Sequence, residues 1–197
     1  MRRLDLIPDC GSCAALCCVA PSFDASEDFA LDKPAGVACP YVTPERRCAI
    51  HSERVERGFP GCTVYDCFGA GQRTTRAFAS RPNAERERNA AFLSLRVVHE
   101  LLWMLTEAAK LCPSGCKSVR AELEIQILAL DSLALASPEV LLGIDLEARR
   151  TIAHATLRRL GEALGGRDRT ALARELVADS PLLTLARRRR AAGAADD

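Results

Sequence analysis

Eight of the ten cysteines in this chain fall between positions 10 and 67, and no other feature restricts its folding as much. They run Cys10-x2-Cys13-x3-Cys17-Cys18, then Cys39, Cys48 and Cys62-x4-Cys67. Cysteine packs acceptably as a small apolar residue. A core, however, does not gather it in pairs beside glycine and proline. Two chemistries remain for such a cluster: a disulfide framework in an oxidising compartment, or thiolate ligation of metal in a reducing one.

Compartment separates the two. The N-terminus opens Met1-Arg2-Arg3, as a signal peptide does. Asp5, Pro8 and Asp9 then interrupt the apolar stretch before it reaches the length of an h-region. The most apolar helical stretch, around 89–111, carries Arg96, His99, Glu100 and Glu107, a charge density that excludes a membrane span. The sequence therefore reads as cytoplasmic, and the cysteines as thiols. A Cys-x2-Cys step sets two thiolates on one tight turn, able to share a tetrahedral metal at about 2.3 Å per bond. Adjacent Cys17 and Cys18 are expected to diverge, serving two metals or one metal and a buried thiol. Cys62-x4-Cys67 supplies a looser pair. The expected metal ligands are Cys10, Cys13, Cys17, Cys18, Cys39, Cys48, Cys62 and Cys67, holding zinc or an iron–sulfur cluster. Eight thiolates around two divalent ions leave about four excess negative charges. Arg46, Arg47, Arg54 and Arg57 are near enough in sequence to offset them, although a solvated helix face is the reading favoured for these four.

Composition divides the chain. Residues 1–82 form a loop-rich region punctuated by Pro34-Ala35-Gly36 and Phe59-Pro60-Gly61, too small to stand without staples. Short helices are expected at 11–19, 45–57 and 70–80. Residues 83–186 read as helix. Phe92, Leu95, Val98, Leu102, Leu105 and Ala109 share one face of the first, with Asn83 as its expected N-cap. Val119, Leu123, Ile127 and Leu130 share a face of the second, from about 118 to 136. Ser137-Pro138 makes a turn, Asp145 opens a third helix that stops near Gly165-Gly166, and a fourth begins at Asp168 or Thr170. Residues 187–197 read as a disordered tail. No tandem repeat is present. The expected fold is mainly α: a small metal-stapled cysteine-rich region packed against an antiparallel helical bundle.

These residues resemble a known family. Cys10-x2-Cys13-x3-Cys17-Cys18, Cys39-Pro40-Tyr41, Cys48-Ala49-Ile50-His51 and Phe59-Pro60-Gly61-Cys62 look like the YkgJ-type cysteine-cluster family, described as a zinc- or iron-chelating domain. The family pattern has two residues where Ala14-Ala15-Leu16 stands, and an arginine before the proline of Phe59-Pro60. The segments Cys17-Cys18-Val19-Ala20, Phe29 to Gly36 and Tyr65 to Gln72, with His99-Glu100-Leu101-Leu102-Trp103 downstream, are similar to the N-terminal region of actinobacterial pentapeptide-repeat proteins. The pentapeptide repeats themselves are not found in this chain.

Other candidates are weaker. Cys112-Pro113-Ser114-Gly115-Cys116 is either a pair that folds back on the cluster or two semi-buried loop cysteines. His51 reads as a surface or supporting residue rather than a ligand, His99 as a satisfied core histidine rather than, with Glu100, a contact to the cluster, and His154 as structural. Cys10-Gly11-Ser12-Cys13 has thiol–disulfide exchange spacing without the βαβ context such chemistry uses. A net charge of +1 and the isolated Arg187–Arg190 run give no expectation of nucleic-acid binding. The functional expectation is a non-catalytic metal-binding protein, not an enzyme, whose helical region meets a protein partner. The alternative is an iron–sulfur enzyme or an electron-transfer or redox-switch protein, since a related cluster occurs in flagellin lysine-N-methylase.

Overall fold

A computed structural model describes residues 6–81 and 83–165. Among these residues the chain is mainly helical, and pairing between extended segments is confined to the isolated bridges Phe23–Lys33, Ser26–Phe29 and Val42–Cys48. A 3-10 turn over Cys10–Ser12 precedes α1 (Leu16–Val19), α2 (Gly61–Val64), α3 (Ala70–Ala77), α4 (Glu85–Leu111), α5 (Lys117–Ala134), α6 (Pro138–Leu142) and α7 (Leu146–Ala163).

α4 is the axis on which the other elements pack. Every residue from Val97 to Leu102 is buried. Six consecutive positions go more than once around a helix, so α4 is enclosed and not merely amphipathic. α3, α5, α6 and α7 pack around it, and α1 touches it from the cysteine lobe. Phe92, Leu95, Val98, Leu102 and Leu105 are buried as their spacing predicts, while Ala109 is only partly covered. α5 buries Val119, Leu123, Leu130 and Ala134 and half-covers Ile127. Asp145 caps α7 by accepting from the Ala148 N–H at 2.9 Å.

Several boundaries differ from the sequence reading. Asn83 does not cap α4; Ala84 stands there and offers its first turn no side-chain acceptor. The Ser137-Pro138 turn carries a further short helix, α6, whose proline sits where a missing N–H costs nothing. Residues 45–57 are a run of turns, not a helix. Thr43 donates its N–H to the Arg47 carbonyl at 2.8 Å, closing a tight reversal through Pro44 that places Cys48 beside Val42. The fourth helix and the tail expected beyond Gly165 lie outside the described residues.

The cysteine lobe and the helices share one core. Ala14, Leu16, Ala20, Ala70 and Phe78 join the apolar cluster centred on α4. The lobe also has a small aromatic centre of its own. Phe23 stacks on Phe29 at 4.5 Å between centroids, and Phe59 meets both Phe23 and Tyr41 edge-on.

Candidate metal centre

Each segment of the lobe positions its thiols by a different device. Asp9 accepts from the Ser12 N–H and closes the 3-10 turn bearing Cys10 and Cys13. Arg47 reaches across from the 43–48 turn and donates to the carbonyls of Cys10 and Gly11. The three-residue spacer before Cys17 has a physical role at every position. Ala14 donates its N–H to the Thr75 hydroxyl of α3 at 2.9 Å, Ala15 turns the chain with a left-handed φ of 57°, and Leu16 is fully buried.

Cys17 and Cys18 follow in α1, and their sulfurs lie 3.8 Å apart. That corrects the expectation that adjacent thiols diverge. Two sulfurs bound at about 2.3 Å to one tetrahedral zinc stand about 3.8 Å from each other. Cys39 donates its N–H to the Cys18 carbonyl at 2.9 Å, and Val42 donates to the Cys39 carbonyl. Cys62 lies in α2, where Arg54 donates to its carbonyl at 3.0 Å. Cys67 precedes a strained corner. Phe68 has φ 49°, a conformation non-glycine residues avoid. It is held by Asp66, which accepts its N–H at 2.6 Å, and by His99, whose Nδ1 meets its carbonyl at 2.6 Å. Its ring packs on Trp103.

The thiols share one electrostatic neighbourhood. Cys17 raises the pKa values of Cys10, Cys13, Cys62 and Cys67, and Cys62 is also raised by Cys39 and Cys48. Burial is the largest cause for these four, and it pushes Cys62 and Cys67 up to about 11. Cys17 is driven far up by its hydrogen bond with Cys18, then by burial. Arg54 lowers Cys62 and Arg47 lowers Cys10, so these two arginines answer the thiols' charge instead of forming the solvated helix face. Arg57, by contrast, pairs with Glu53 at the surface.

Two residues that the sequence reading passed over shape the site. Lys33 is 3% exposed and donates to the carbonyls of Val19, Pro34 and Val37 at 2.9–3.1 Å. Burial lowers its pKa, and Cys39 and Cys18 push it back up. A buried ammonium therefore stands beside two of the thiols. The rarity of lysine in this arginine-rich chain was the only signal for it. Gly71 faces the cluster from α3, where a Cβ would come within 2.6 Å of the Cys13 sulfur and 3.8 Å of the Cys67 sulfur.

Among the described residues, no three His, Cys, Asp or Glu side chains are arranged to hold one metal ion. The eight cysteines surround one region without converging within it. Cys112 is buried and Cys116 half-buried at the α4–α5 turn; the charges acting on Cys112 are Arg120, Cys116 and Glu124, none from the lobe. His51 is exposed. His99 supports the Phe68 corner with Nδ1, while its Nε2 is buried without a partner. Burial lowers its pKa to about 4. Glu100 pairs with Arg96 at 3.4 Å. His154 is exposed.

The chain is similar to the uncharacterized protein YybG of Bacillus subtilis (strain 168), 34% identical over 152 residues. The match covers 74% of this chain and 54% of that protein, so the chain spans about half the length of its relative. No protein-family model and no solved structure matches the chain. None of the helices among the described residues is long and apolar enough to cross a membrane.

Proposed function

We propose that the protein is a non-catalytic metal-binding protein of the YkgJ-like type. Its cysteine lobe holds zinc or an iron–sulfur centre, and its helical region meets a protein partner. One observation carries this reading: the thiol pair Cys17–Cys18 is 3.8 Å apart, and Cys17 acts on the thiols of Cys10, Cys13, Cys62 and Cys67. Thiolates are soft donors suited to zinc and to iron–sulfur clusters. Gly71, without a Cβ, leaves room for the sulfurs of Cys13 and Cys67, and Lys33, Arg47 and Arg54 supply positive charge around them.

The lack of three converging donors fits a site that metal completes. Unligated thiols are protonated and share no attraction that would draw them together, and metal binding displaces those protons. The metal would supply closed coordination that fixes the loops. His99 of α4 is spent on the Phe68 carbonyl, a supporting role at the corner after Cys67. α5 presents Ile125 and Leu128 to solvent, an apolar edge for the proposed partner contact. Family membership and a cytoplasmic location belong to the same proposal.

The test is elemental analysis with a visible spectrum on protein purified without oxygen. Stoichiometric zinc in a colourless protein, or iron and sulfide with thiolate-to-iron absorption bands, supports the reading. Fully folded protein free of both metals, unable to bind either on addition, would refute it.

A further inference from the structure

Between the 43–48 turn and the start of α4 lies an open cleft of about 490 Å³ that the metal reading leaves unused. Arg46, Arg47, Arg81 and Arg88 line it, and Cys13 forms part of its wall. Four guanidinium groups on one cleft are a marked concentration for a chain of net charge +1. Glu45 and Glu85 also line it, so the lining carries two more positive than negative charges.

We propose that this cleft binds a small molecule through an oxyanion group, a phosphate or a carboxylate, gripped by Arg46 and Arg88 against the Cys10–Cys13 turn. Arg88 carries the inference furthest. Its side chain is only 14% exposed, and its Nε is buried with no hydrogen-bond partner. The Glu85 carboxylate stands 3.8 Å from its Nη2, beyond hydrogen-bonding range, and is itself largely in solvent. A guanidinium withdrawn from water without an acceptor is costly, so such groups are nearly always satisfied. A bound oxyanion in the cleft would give the Arg88 guanidinium the close acceptor that Glu85, 3.8 Å from Nη2, does not.

Arg46 is the second observation. It sits at φ 59° in the turn that Thr43 and Arg47 close, and this left-handed position holds it at the cleft. Strain at a non-glycine residue of this kind gathers at functional sites. Its guanidinium has no partner among the described residues. The neighbouring Glu45 is held as a carboxylate by its own N–H and the Thr43 hydroxyl, and these donors, not Arg46, are its hydrogen-bond partners.

The other two arginines are committed yet remain charged. Arg47 donates to the neutral carbonyls of Cys10 and Gly11, and Arg81 pairs with Glu139 at 2.5 Å. At the rim α4 begins with an uncapped first turn, which adds the positive end of a long helix. Planar guanidinium forks match carboxylate and phosphate oxygens two at a time. The volume falls within the span of about 300–1,000 Å³ usual for small-molecule sites.

Calorimetric titration of the full chain with inorganic phosphate and, separately, with succinate tests this at constant ionic strength. Saturable binding of at least one anion is expected, and the tighter one names the class recognised. Arg46→Gln and Arg88→Gln should each weaken it about tenfold, the loss of one charge-assisted pair. Arg57→Gln, which removes an exposed arginine paired with Glu53, should bind like the unmodified chain. No saturable heat with either anion overturns the proposal, as does equal weakening by Arg57→Gln, which would mean attraction by overall charge. If circular dichroism shows Arg88→Gln to be unfolded, the exposed Arg46→Gln decides alone, and unchanged binding there overturns the proposal. Metal content has no part in the readout, so a metal-free chain leaves the result interpretable.

Discussion

Replacing Gly71 with alanine gives opposite signs for two physical effects, and so tests the lobe's packing directly. Gly71 lies inside α3 with an ordinary helical backbone. On propensity alone, Gly71→Ala should stabilise the helix by about 1 kcal/mol. The new Cβ, however, would stand 2.6 Å from the Cys13 sulfur, a separation that forces movement. Cys13 cannot swing away cheaply, since the next residue is pinned to Thr75 and the preceding turn is held by Asp9 and Arg47. Overpacking of this kind costs about 1–3 kcal/mol. The net effect is therefore between about zero and 2 kcal/mol of destabilisation. For a chain of this length each kcal/mol moves the melting temperature by about 2–4 °C, so the variant should melt up to about 8 °C lower. Thermal unfolding by circular dichroism measures this. A second readout is metal affinity, which should fall because the Cys13 thiol is displaced. A melting temperature raised by the propensity gain, with metal affinity unchanged, would show that Gly71 and Cys13 are not in contact.

Three further outcomes follow from the same geometry. Lys33→Met should remove three hydrogen bonds and leave the Val37 carbonyl without its donor, while those of Val19 and Pro34 keep only the N–H groups of Gly36 and Val37. Part of this is recovered by water, leaving a loss of about 2–4 kcal/mol measurable by urea unfolding; a loss below about 0.5 kcal/mol would contradict the buried-ammonium geometry. His99 is held neutral, with its pKa lowered from 6.5 to about 4 by burial, so its contribution is complete above about pH 6.5 and is lost as pH falls toward 4. The full effect is about 3 kcal/mol, and His99→Gln should flatten stability between those pH values; an NMR titration of His99 near 6.5 would contradict the reading. Metal addition to the metal-free chain should release protons at neutral pH, because Cys62 and Cys67 titrate at about 11 when unligated. Apparent affinity should then fall as pH falls, and titration in buffers of different ionisation enthalpy counts the protons.

The helices were legible because their apolar periods are long and their breakers plain. Val119, Leu123 and Leu130 had one available partner surface, and Pro113 and Gly115 marked where the chain turned to reach it. The failure at 45–57 has a specific cause. Glu53 and Arg57 suggest a charged helix face, but Pro44 and the hydrogen bond from Thr43 to Arg47 set a reversal that local propensity does not oppose. α6 escaped notice because five residues are too few to show a period. At the site, the order of the thiols was readable while their grouping was not. Whether Cys17 and Cys18 diverge or converge depends on their own side-chain torsions, which residue type does not reveal, and the alanine at 15 likewise gives no warning of its left-handed turn. Lys33 and Gly71 act through backbone carbonyls and through empty space, neither of which leaves a pattern in sequence.

The lobe's own contacts also change what metal would be needed for. Length and composition suggested that residues 1–82 could not fold without staples. Yet Phe59 is 2% exposed within an aromatic centre formed with Phe23 and Tyr41, Leu16 is fully buried in the shared core, and Gln72 and Thr75 of α3 bind the backbone of Ile7, Asp9 and Ala14. These contacts fix the loop ends without any ligand. What they leave unfixed is the sulfur positions, where buried thiols raise one another's pKa values and only Cys17 and Cys18 stand at ligand spacing. The binding free energy of a metal would then go into arresting the thiol-bearing loops rather than into creating the fold, unlike small zinc domains that are unfolded without metal. Chelation should accordingly preserve the helical circular dichroism while hydrogen exchange accelerates at Cys39, Cys48 and their neighbours. Loss of the α4 and α5 signal on chelation would mean that the aromatic centre and the α3 contacts cannot hold the lobe, and that the staple is needed after all.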